Sequence, residues 1–214
     1  MAEAIKIKVG LPSYSGKVFP ETDRTIRALS AYEDGVFFDV SIIPNGQTSI
    51  SRSLAVTDGR YKTKQKFEWD YFLSMDADMS FPVQVPLMLI DRKKDIVSAA
   101  YRIRSPRSGA LLDQYVAAPW GDFIGHADRK KFLSVNTTGL HKVDFVGMGC
   151  CIISKRVFET LDFPYFNQHV ITWKDESYPV AEDVSFCIDA AAAGFEIWVD
   201  CDCIATHHPE NDFR

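Results

Sequence analysis

The sequence lacks two features that would place it among membrane or nucleic-acid-binding proteins. None of its hydrophobic runs is long enough to span a bilayer, and its N-terminus alternates lysine with Ile5, Ile7 and Val9, where a secretory signal would be continuously apolar. Its 24 lysines and arginines are scattered among 29 acids, for a formal net charge of −5. Because nucleic-acid binding needs clustered positive charge, we expect no nucleic-acid partner and no transmembrane segment.

Cysteine is scarce as well, with five residues, of which Cys150 and Cys151 are adjacent in an apolar run. A chain of 214 residues with 46% hydrophobic content can bury a core without disulfide bonds. This composition is typical of a reducing compartment, so we expect a cytoplasmic protein. The sequence also has no internal repeat, low-complexity tract or linker, which predicts a single domain over residues 1–214.

What the sequence does have is an alternation of strand-like and helix-like segments in its first half. Strands are expected at residues 5–11, 36–43, 70–75 and 95–101, with helices between them. This order predicts an α/β fold with a mostly parallel sheet and helices on both faces. In such sheets, ligands bind beyond the carboxyl ends of the strands.

Residues 102–142 break this order, because they are rich in Gly, Pro, Ser and Asn. We expect an insertion at the rim of the site, with a hairpin-like segment at 111–119 and a short apolar segment at 131–135. The order of strands and helices then returns, with an aromatic loop at 163–179 and a late helix at 182–194.

Two acids one residue apart, Asp76 and Asp78, follow the third strand-like segment. They would lie on the same side of the strand end, about 6–7 Å apart if the chain is still extended. Such carboxylates repel each other unless a cation lies between them, and a partly hydrated Mg²⁺ or Mn²⁺ beside a diphosphate takes ligands of this kind. The residues alone leave a second interpretation open, in which both acids are solvated and one caps the next helix.

Two further clusters could take part in the same chemistry. Glu182 and Asp183 open the late helix, whose dipole stabilises carboxylates that could accept a proton from a hydroxyl, although ordinary charge compensation alone would also explain them. His207 and His208 follow the last strand-like segment. An imidazole there could be a third ligand of a divalent ion, or a structural or exposed residue.

The order of these motifs resembles the GT-A glycosyltransferases, in particular the small family-2-type enzymes of bacteria, phages and large viruses. The resemblance covers nearly the whole chain, through VGLPSYSGKV, SISRSLAV, FLSMDADMSFP, DIVSAAYRIR, VDFVGMGCCIISKRVFE and AEDVSFCIDAAAAGFEIWVD. Size and the early D-x-D are similar to transferase domains that build chlorella-virus capsid glycans, which would imply a viral protein of the host cytoplasm. One departure is IIPNGQTS, where many family-2 members carry an acidic D-D-G-S stretch.

The resemblance implies a GT-A-type fold, with a mixed, mostly parallel sheet, in which residues 1–101 form the nucleotide-binding half and residues 102–214 the acceptor-binding half. It implies Mn²⁺ or Mg²⁺ as cofactor, held by Asp76, Asp78 and His207, with His208 as the alternative to His207. The donor would be a nucleotide sugar, most simply a UDP-sugar. The residues implied around the donor are Pro12, Ser13, Tyr14, Arg52, Asp76, Ala77, Asp78, Gly147, Met148 and Gly149.

For the acceptor, the resemblance implies a hydroxyl of a glycan or glycoprotein. In an inverting reaction Asp183 would be the base and Glu182 would orient the acceptor hydroxyl, whereas in a retaining reaction both would bind sugar hydroxyls. The motifs do not decide between the two.

Two other classes of protein remain open at this stage. The D-x-D stretch also resembles the signature of haloacid-dehalogenase-type phosphatases, whose first aspartate is a nucleophile, although that motif normally ends the first strand of its fold. A non-enzymatic alternative is an interaction module with a structural zinc ion, held by Cys201, Cys203, His207 and His208.

Overall fold

The chain is described by a computed structural model that covers residues 4–44, 46–61, 66–105, 110–118, 132–173 and 176–208. The helices of this part are α1 (Pro20–Ser30), α2 (Thr48–Val56), α3 (Gln84–Asp91), α4 (Lys155–Thr160) and α5 (Glu182–Ala192). The strands of the central sheet are β1 (Ile5–Ser13), β2 (Val36–Pro44), β3 (Tyr71–Met75), β5 (Ile96–Ala100), β9 (Leu140–Val143), β11 (Cys150–Ser154) and β14 (Ile197–Ile204). The described part also contains four two-stranded antiparallel sheets outside the central sheet: β4 (Met79–Ser80) with β15 (Thr206–His207), β6 (Arg102–Arg104) with β7 (Leu111–Tyr115), β8 (Ala117–Ala118) with β10 (Phe145–Val146), and β12 (Val170–Trp173) with β13 (Glu176–Pro179).

The central sheet has the strand order β2-β1-β3-β11-β5-β14-β9. Strands β2, β1, β3, β5 and β14 run in one direction, while β11 and β9 run against them. The prediction of a mixed, mostly parallel sheet flanked by helices is therefore confirmed. Because β11 lies antiparallel between β3 and β5, the segment that precedes it reaches the edge where its two neighbours end.

Alternating side chains give the sheet a hydrophobic core on each face. On β1, Ile7, Val9 and Leu11 are fully buried in the core that α1 and α3 cover. The opposite face carries Gly10, which lies against α2. The missing side chain of Gly10 lets α2 approach the sheet closely.

The segment expected to be a rim insertion, residues 102–142, is partly built into the sheet. Its last strand, β9, pairs with β14 and forms an edge of the central sheet. The expected hairpin at 111–119 is wrong in its pairing, because β7 pairs with the preceding β6. Residues 106–109 and 119–131 lie outside the described part, and the second range includes the end of the expected 111–119 segment and the start of the expected 131–135 segment.

The division into a nucleotide-binding half and an acceptor-binding half stays a prediction.

In the parts of the chain that the structure describes, no helix has both the length and the apolar character needed to cross a bilayer.

Gly10 gives a direct test of the packing between α2 and the sheet. A Cβ at this position would lie 2.4 Å from Cζ of Phe72 and 2.7 Å from Cβ of Ala55. Since Phe72 is fully buried, we expect Gly10→Ala to lower the free energy of unfolding by about 2–3 kcal/mol, measured by urea denaturation. Gly46→Ala is the control, because its Cβ would meet its nearest neighbour, Tyr14, at an ordinary 3.5 Å. Equal stability of the two variants would contradict the close approach.

Candidate active site

Chain segments from both halves of the sequence converge at the carboxyl edge of the parallel strands. Asp76 follows β3, Tyr101 follows β5 and His207 follows β14. Gly149 directly precedes the antiparallel β11, and α5 begins at the same edge with Glu182. The topology thus assembles one site from residues far apart in the chain.

The two aspartates of the D-x-D stretch point to different partners. The chain turns after β3, where the N–H of Met79 donates to the carbonyl of Asp76 at 3.2 Å. Oδ1 of Asp76 accepts from Arg52 at 2.6 Å, whereas Oδ2 of Asp78 lies 3.2 Å from Nε2 of His207. The chain is therefore not extended beyond β3, and the condition under which both carboxylates would share one side is not met.

Arg52 of α2 joins the D-x-D stretch to the acidic pair of α5. Its side chain is buried, with the residue 4% exposed, and its Nε donates to Oε1 of Glu182 at 3.2 Å. Its Nη1 donates to Oγ of Ser74 at 2.8 Å and to the carbonyl of Met148 at 3.4 Å. Burial alone would lower the pKa of Arg52, but Asp76 and Glu182 outweigh it and the pKa lies above its usual value. The guanidinium therefore stays charged, and its hydrogen bonds go to other groups of the protein.

Asp183 is the second acid of α5 and has an altered proton affinity. Burial and the neighbouring charge of Glu182 raise its pKa to about 6, against the opposing attraction of Arg52. Its Oδ1 also accepts from the N–H of Val184 at 2.7 Å. A carboxylate with a pKa just below neutrality is suited to accept a proton from a hydroxyl.

Asp78 and His207 form a pair suited to a divalent cation. Nδ1 of His207 lies 3.2 Å from the carbonyl of Arg102, which can only accept, so Nδ1 carries the hydrogen. In the neutral imidazole, Nε2 then presents a lone pair to Asp78. Two such groups at 3.2 Å need a proton or a cation between them, and a carboxylate oxygen is a ligand that Mn²⁺ and Mg²⁺ take.

The charges around this pair favour ionisation of Asp78 and protonation of His207, so a cation bound there would replace a proton. Burial opposes ionisation of Asp78, yet His207 and Arg104 outweigh it and lower its pKa. Burial likewise opposes protonation of His207, but Asp78 raises its pKa. Within the described ranges, no cluster of three carboxylate, imidazole or thiolate ligands forms, because Asp76 is turned toward Arg52. The protein would thus contribute Asp78 and His207 to such a cation.

The chain is similar in structure to known proteins. No protein-family model matches it, and no curated protein matches its sequence. Its structure is similar to A197 from STIV, with a TM-score of 0.54 and 12% identity over 96% of this chain and 95% of that one. It is also similar to GalNAc-T7, whose crystal structure contains UDP, GalNAc and Mn²⁺, with a TM-score of 0.56 and 11% identity over 96% of this chain and 44% of that one. The chain has the GT-A fold.

Within this GT-A fold, the space beside the glycines that were expected to leave room for a sugar ring is filled by Tyr101. A Cβ at Gly147 would lie 2.0 Å from the hydroxyl oxygen of Tyr101, and one at Gly149 would lie 2.9 Å from its Cζ. Tyr101 also accepts the N–H of Gly149 at 3.0 Å, and Met148 is buried in the core. The space at these glycines therefore holds the tyrosine.

The residues expected around the nucleotide base differ in accessibility. Pro12 and Ser13 are buried, and the hydroxyl of Ser13 donates to the carbonyl of Lys17 at 2.6 Å. Tyr14 is 86% exposed, so its ring is the accessible surface of this group. Ala77 contributes its carbonyl to the N–H of Phe19 at 2.9 Å. Contact of any of these with a nucleotide stays a prediction.

Sequence reasoning missed Arg104, and the structure favours one of the two histidines it proposed. Nη2 of Arg104 lies 2.7 Å from Oδ2 of Asp78. His208 is turned away from the acids, with Nε2 2.7 Å from the hydroxyl of Ser80, so His207 is the histidine at Asp78. The signal for Arg104 was its position in the first strand after β5, at the edge where ligands bind.

The zinc-module alternative is not compatible with the positions of its cysteines. Cys201 belongs to the core on one face of the sheet and Cys203 to the core on the other, because β14 is irregular between Asp200 and Ile204. Burial raises the pKa of Cys201 to about 11 and that of Cys203 to about 12. The thiol of Cys203 donates to Oδ2 of Asp200 at 3.3 Å. Cys201 and Cys203 therefore lie on opposite faces of the sheet and do not form one zinc site.

The raised pKa of Asp183 predicts that replacing this acid with a neutral residue stabilises the folded protein in a pH-dependent way. Its pKa is about 6 in the folded protein and 3.8 in an unperturbed chain, so its ionisation costs folding free energy above pH 6 and nothing below pH 3.8. We expect Asp183→Asn to be more stable than the parent by about 2 kcal/mol at pH 8, with a gain that disappears toward pH 4. Urea denaturation at both pH values measures it.

The control is Asp91→Asn, an exposed acid at the end of α3. Its effect should be small and similar at both pH values. A gain for Asp183→Asn that does not depend on pH would contradict the raised pKa.

Proposed function

We propose that this protein is a metal-dependent glycosyltransferase that moves a sugar from a UDP-linked donor to a hydroxyl of a glycan or glycoprotein. The observation that carries the proposal is the pair of Asp78 and His207. They are 129 residues apart in sequence, yet the sheet brings Oδ2 and Nε2 to 3.2 Å at the edge where α/β folds bind ligands. A divalent cation bound there would stabilise the departing diphosphate.

The choice of UDP rests on fold and position. GalNAc-T7, one of the structures with this fold, was crystallised with UDP, GalNAc and Mn²⁺. The exposed ring of Tyr14 lies at the end of β1, where it could stack on a base. Because IIPNGQTS replaces the acidic D-D-G-S stretch of many family-2 members, the identity of the nucleotide base needs a direct test with other nucleotides.

Asp183 supports the acceptor half of the proposal. Its raised pKa, about 6, leaves it ionised at neutral pH yet basic enough to take the proton of an acceptor hydroxyl. Glu182 is held by Arg52 at 3.2 Å, which leaves Asp183 as the acid of this pair that can serve as the base. We therefore propose an inverting reaction, in which Asp183 removes the proton as the hydroxyl attacks the anomeric carbon.

The phosphatase alternative has less support. It requires Asp76 as a nucleophile, and Asp76 is ion-paired with Arg52 at 2.6 Å. The D-x-D stretch also follows the third strand of the chain, with an antiparallel strand beside it. A phosphatase would release phosphate from a phosphomonoester without an acceptor sugar.

The first test is calorimetric titration with UDP, GDP and CMP, with and without Mn²⁺. We expect selective, Mn²⁺-dependent binding of UDP, and we expect Asp78→Ala to lose it, because the cation loses one of its two protein ligands. The fold should survive, since Asp78 lies in a turn outside the core. Asp91→Ala is the control for the change in charge. Undiminished Mn²⁺-dependent binding by a folded Asp78→Ala protein would exclude this cation site.

Asp183→Asn separates donor binding from transfer. We expect UDP and Mn²⁺ to bind the variant normally, while UDP release from a panel of UDP-hexoses with methyl glycoside acceptors falls by about 10²-fold or more. In the parent protein, turnover should decrease as the pH falls through about 6, where Asp183 becomes protonated. Unchanged turnover in the variant would remove Asp183 from the mechanism.

A further inference from the structure

One oxygen of Asp78 serves two partners at once. Oδ2 lies 2.7 Å from Nη2 of Arg104 and 3.2 Å from Nε2 of His207. Nη1 of Arg104 also donates to the carbonyl of His208 at 3.3 Å. The guanidinium is thus bound to the same oxygen that a cation on Asp78 and His207 would use.

A guanidinium and a divalent cation cannot share this oxygen without cost, because they repel each other and a carboxylate oxygen has few acceptor positions. The contact with Arg104 neutralises the charge of Asp78, as a bound cation would. Binding of the cation would therefore require the guanidinium to find another anion.

We propose that Arg104 is a diphosphate-binding residue, which exchanges Asp78 for the donor's phosphates when cation and donor bind. This inference rests on the proposed function, because it takes the donor to be a nucleoside diphosphate. A guanidinium binds phosphate oxygens with two parallel hydrogen bonds. The side chain of Arg104 is 23% exposed and lies at the edge of the site, so it has access to a ligand beside Asp78.

The exchange couples the two ligands. The cation alone must displace Arg104 from Asp78 and leaves the guanidinium without that carboxylate, so the cation binds weakly. A diphosphate alone meets an Arg104 that is already occupied. When both bind, each anion has a cation, and by thermodynamic linkage each ligand raises the affinity of the other by the same factor.

The test uses Arg104→Gln, with Mn²⁺ alone and UDP as probes. Binding of Mn²⁺ alone, followed through the electron paramagnetic resonance of free Mn²⁺, should become about tenfold tighter, because Asp78 is released. Binding of UDP at saturating Mn²⁺, measured by calorimetry, should become about tenfold weaker, because a phosphate contact is lost. A merely structural role of Arg104 would weaken both.

Two further variants control this result. Arg27→Gln makes the same change in net charge at an exposed residue of α1, whose partner is Asp23, and should change neither affinity. Arg104→Lys keeps the charge without the planar guanidinium, so it should retain the weak binding of Mn²⁺ alone and recover part of the UDP affinity. It also keeps the test valid if Arg104→Gln does not fold.

The inference is overturned if Arg104→Gln binds Mn²⁺ alone no more tightly than the parent, or if its affinity for UDP with Mn²⁺ is unchanged. Should the parent protein bind no nucleoside diphosphate with Mn²⁺ present, the proposed function fails instead. The two failures are distinct, because the first is measured on a parent protein that binds UDP.

Discussion

The rest of the site depends on the buried guanidinium of Arg52. It connects three separate parts of the chain through Asp76 after β3, the carbonyl of Met148 before β11, and Glu182 at the start of α5. A charge buried to this degree is tolerated only when its donors are matched by acceptors, and removal of one partner leaves the others uncompensated. Arg52 therefore holds α5 against the D-x-D turn and fixes where the carboxylate of Asp183 lies.

This constraint divides the two aspartates of the D-x-D stretch between two tasks. Asp76 is part of the structural ion pair with Arg52, while Asp78 belongs to the proposed cation site with His207. Two groups of charges, one around Arg52 and one around Asp78, thus meet within a turn of three residues. A motif that looks like one chelating pair in sequence is, in the structure, the junction between two electrostatic networks.

Much of the fold could be predicted from the sequence, because hydrophobic periodicity reports which segments are buried. The parallel strands and the edge that holds the site follow from it. Periodicity does not report which strands are neighbours, so the place of β11 between β3 and β5, and of β9 at the sheet edge, could not be derived. Side-chain partners are equally hidden, since Arg104 meets Asp78 only through the pairing of short strands around the site.

The glycines beside Met148 illustrate how a small residue can make room for a packed side chain. Tyr101 fills the space at Gly147 and Gly149, and burial together with the charge of Asp76 raises its pKa well above its usual value, so the phenol stays neutral. Its ring also packs edge-on against His207, with centroids 5.9 Å apart. One neutral side chain thus separates the pair of Asp78 and His207 from the segment that offers a carbonyl to Arg52, and it positions both without adding a charge to either.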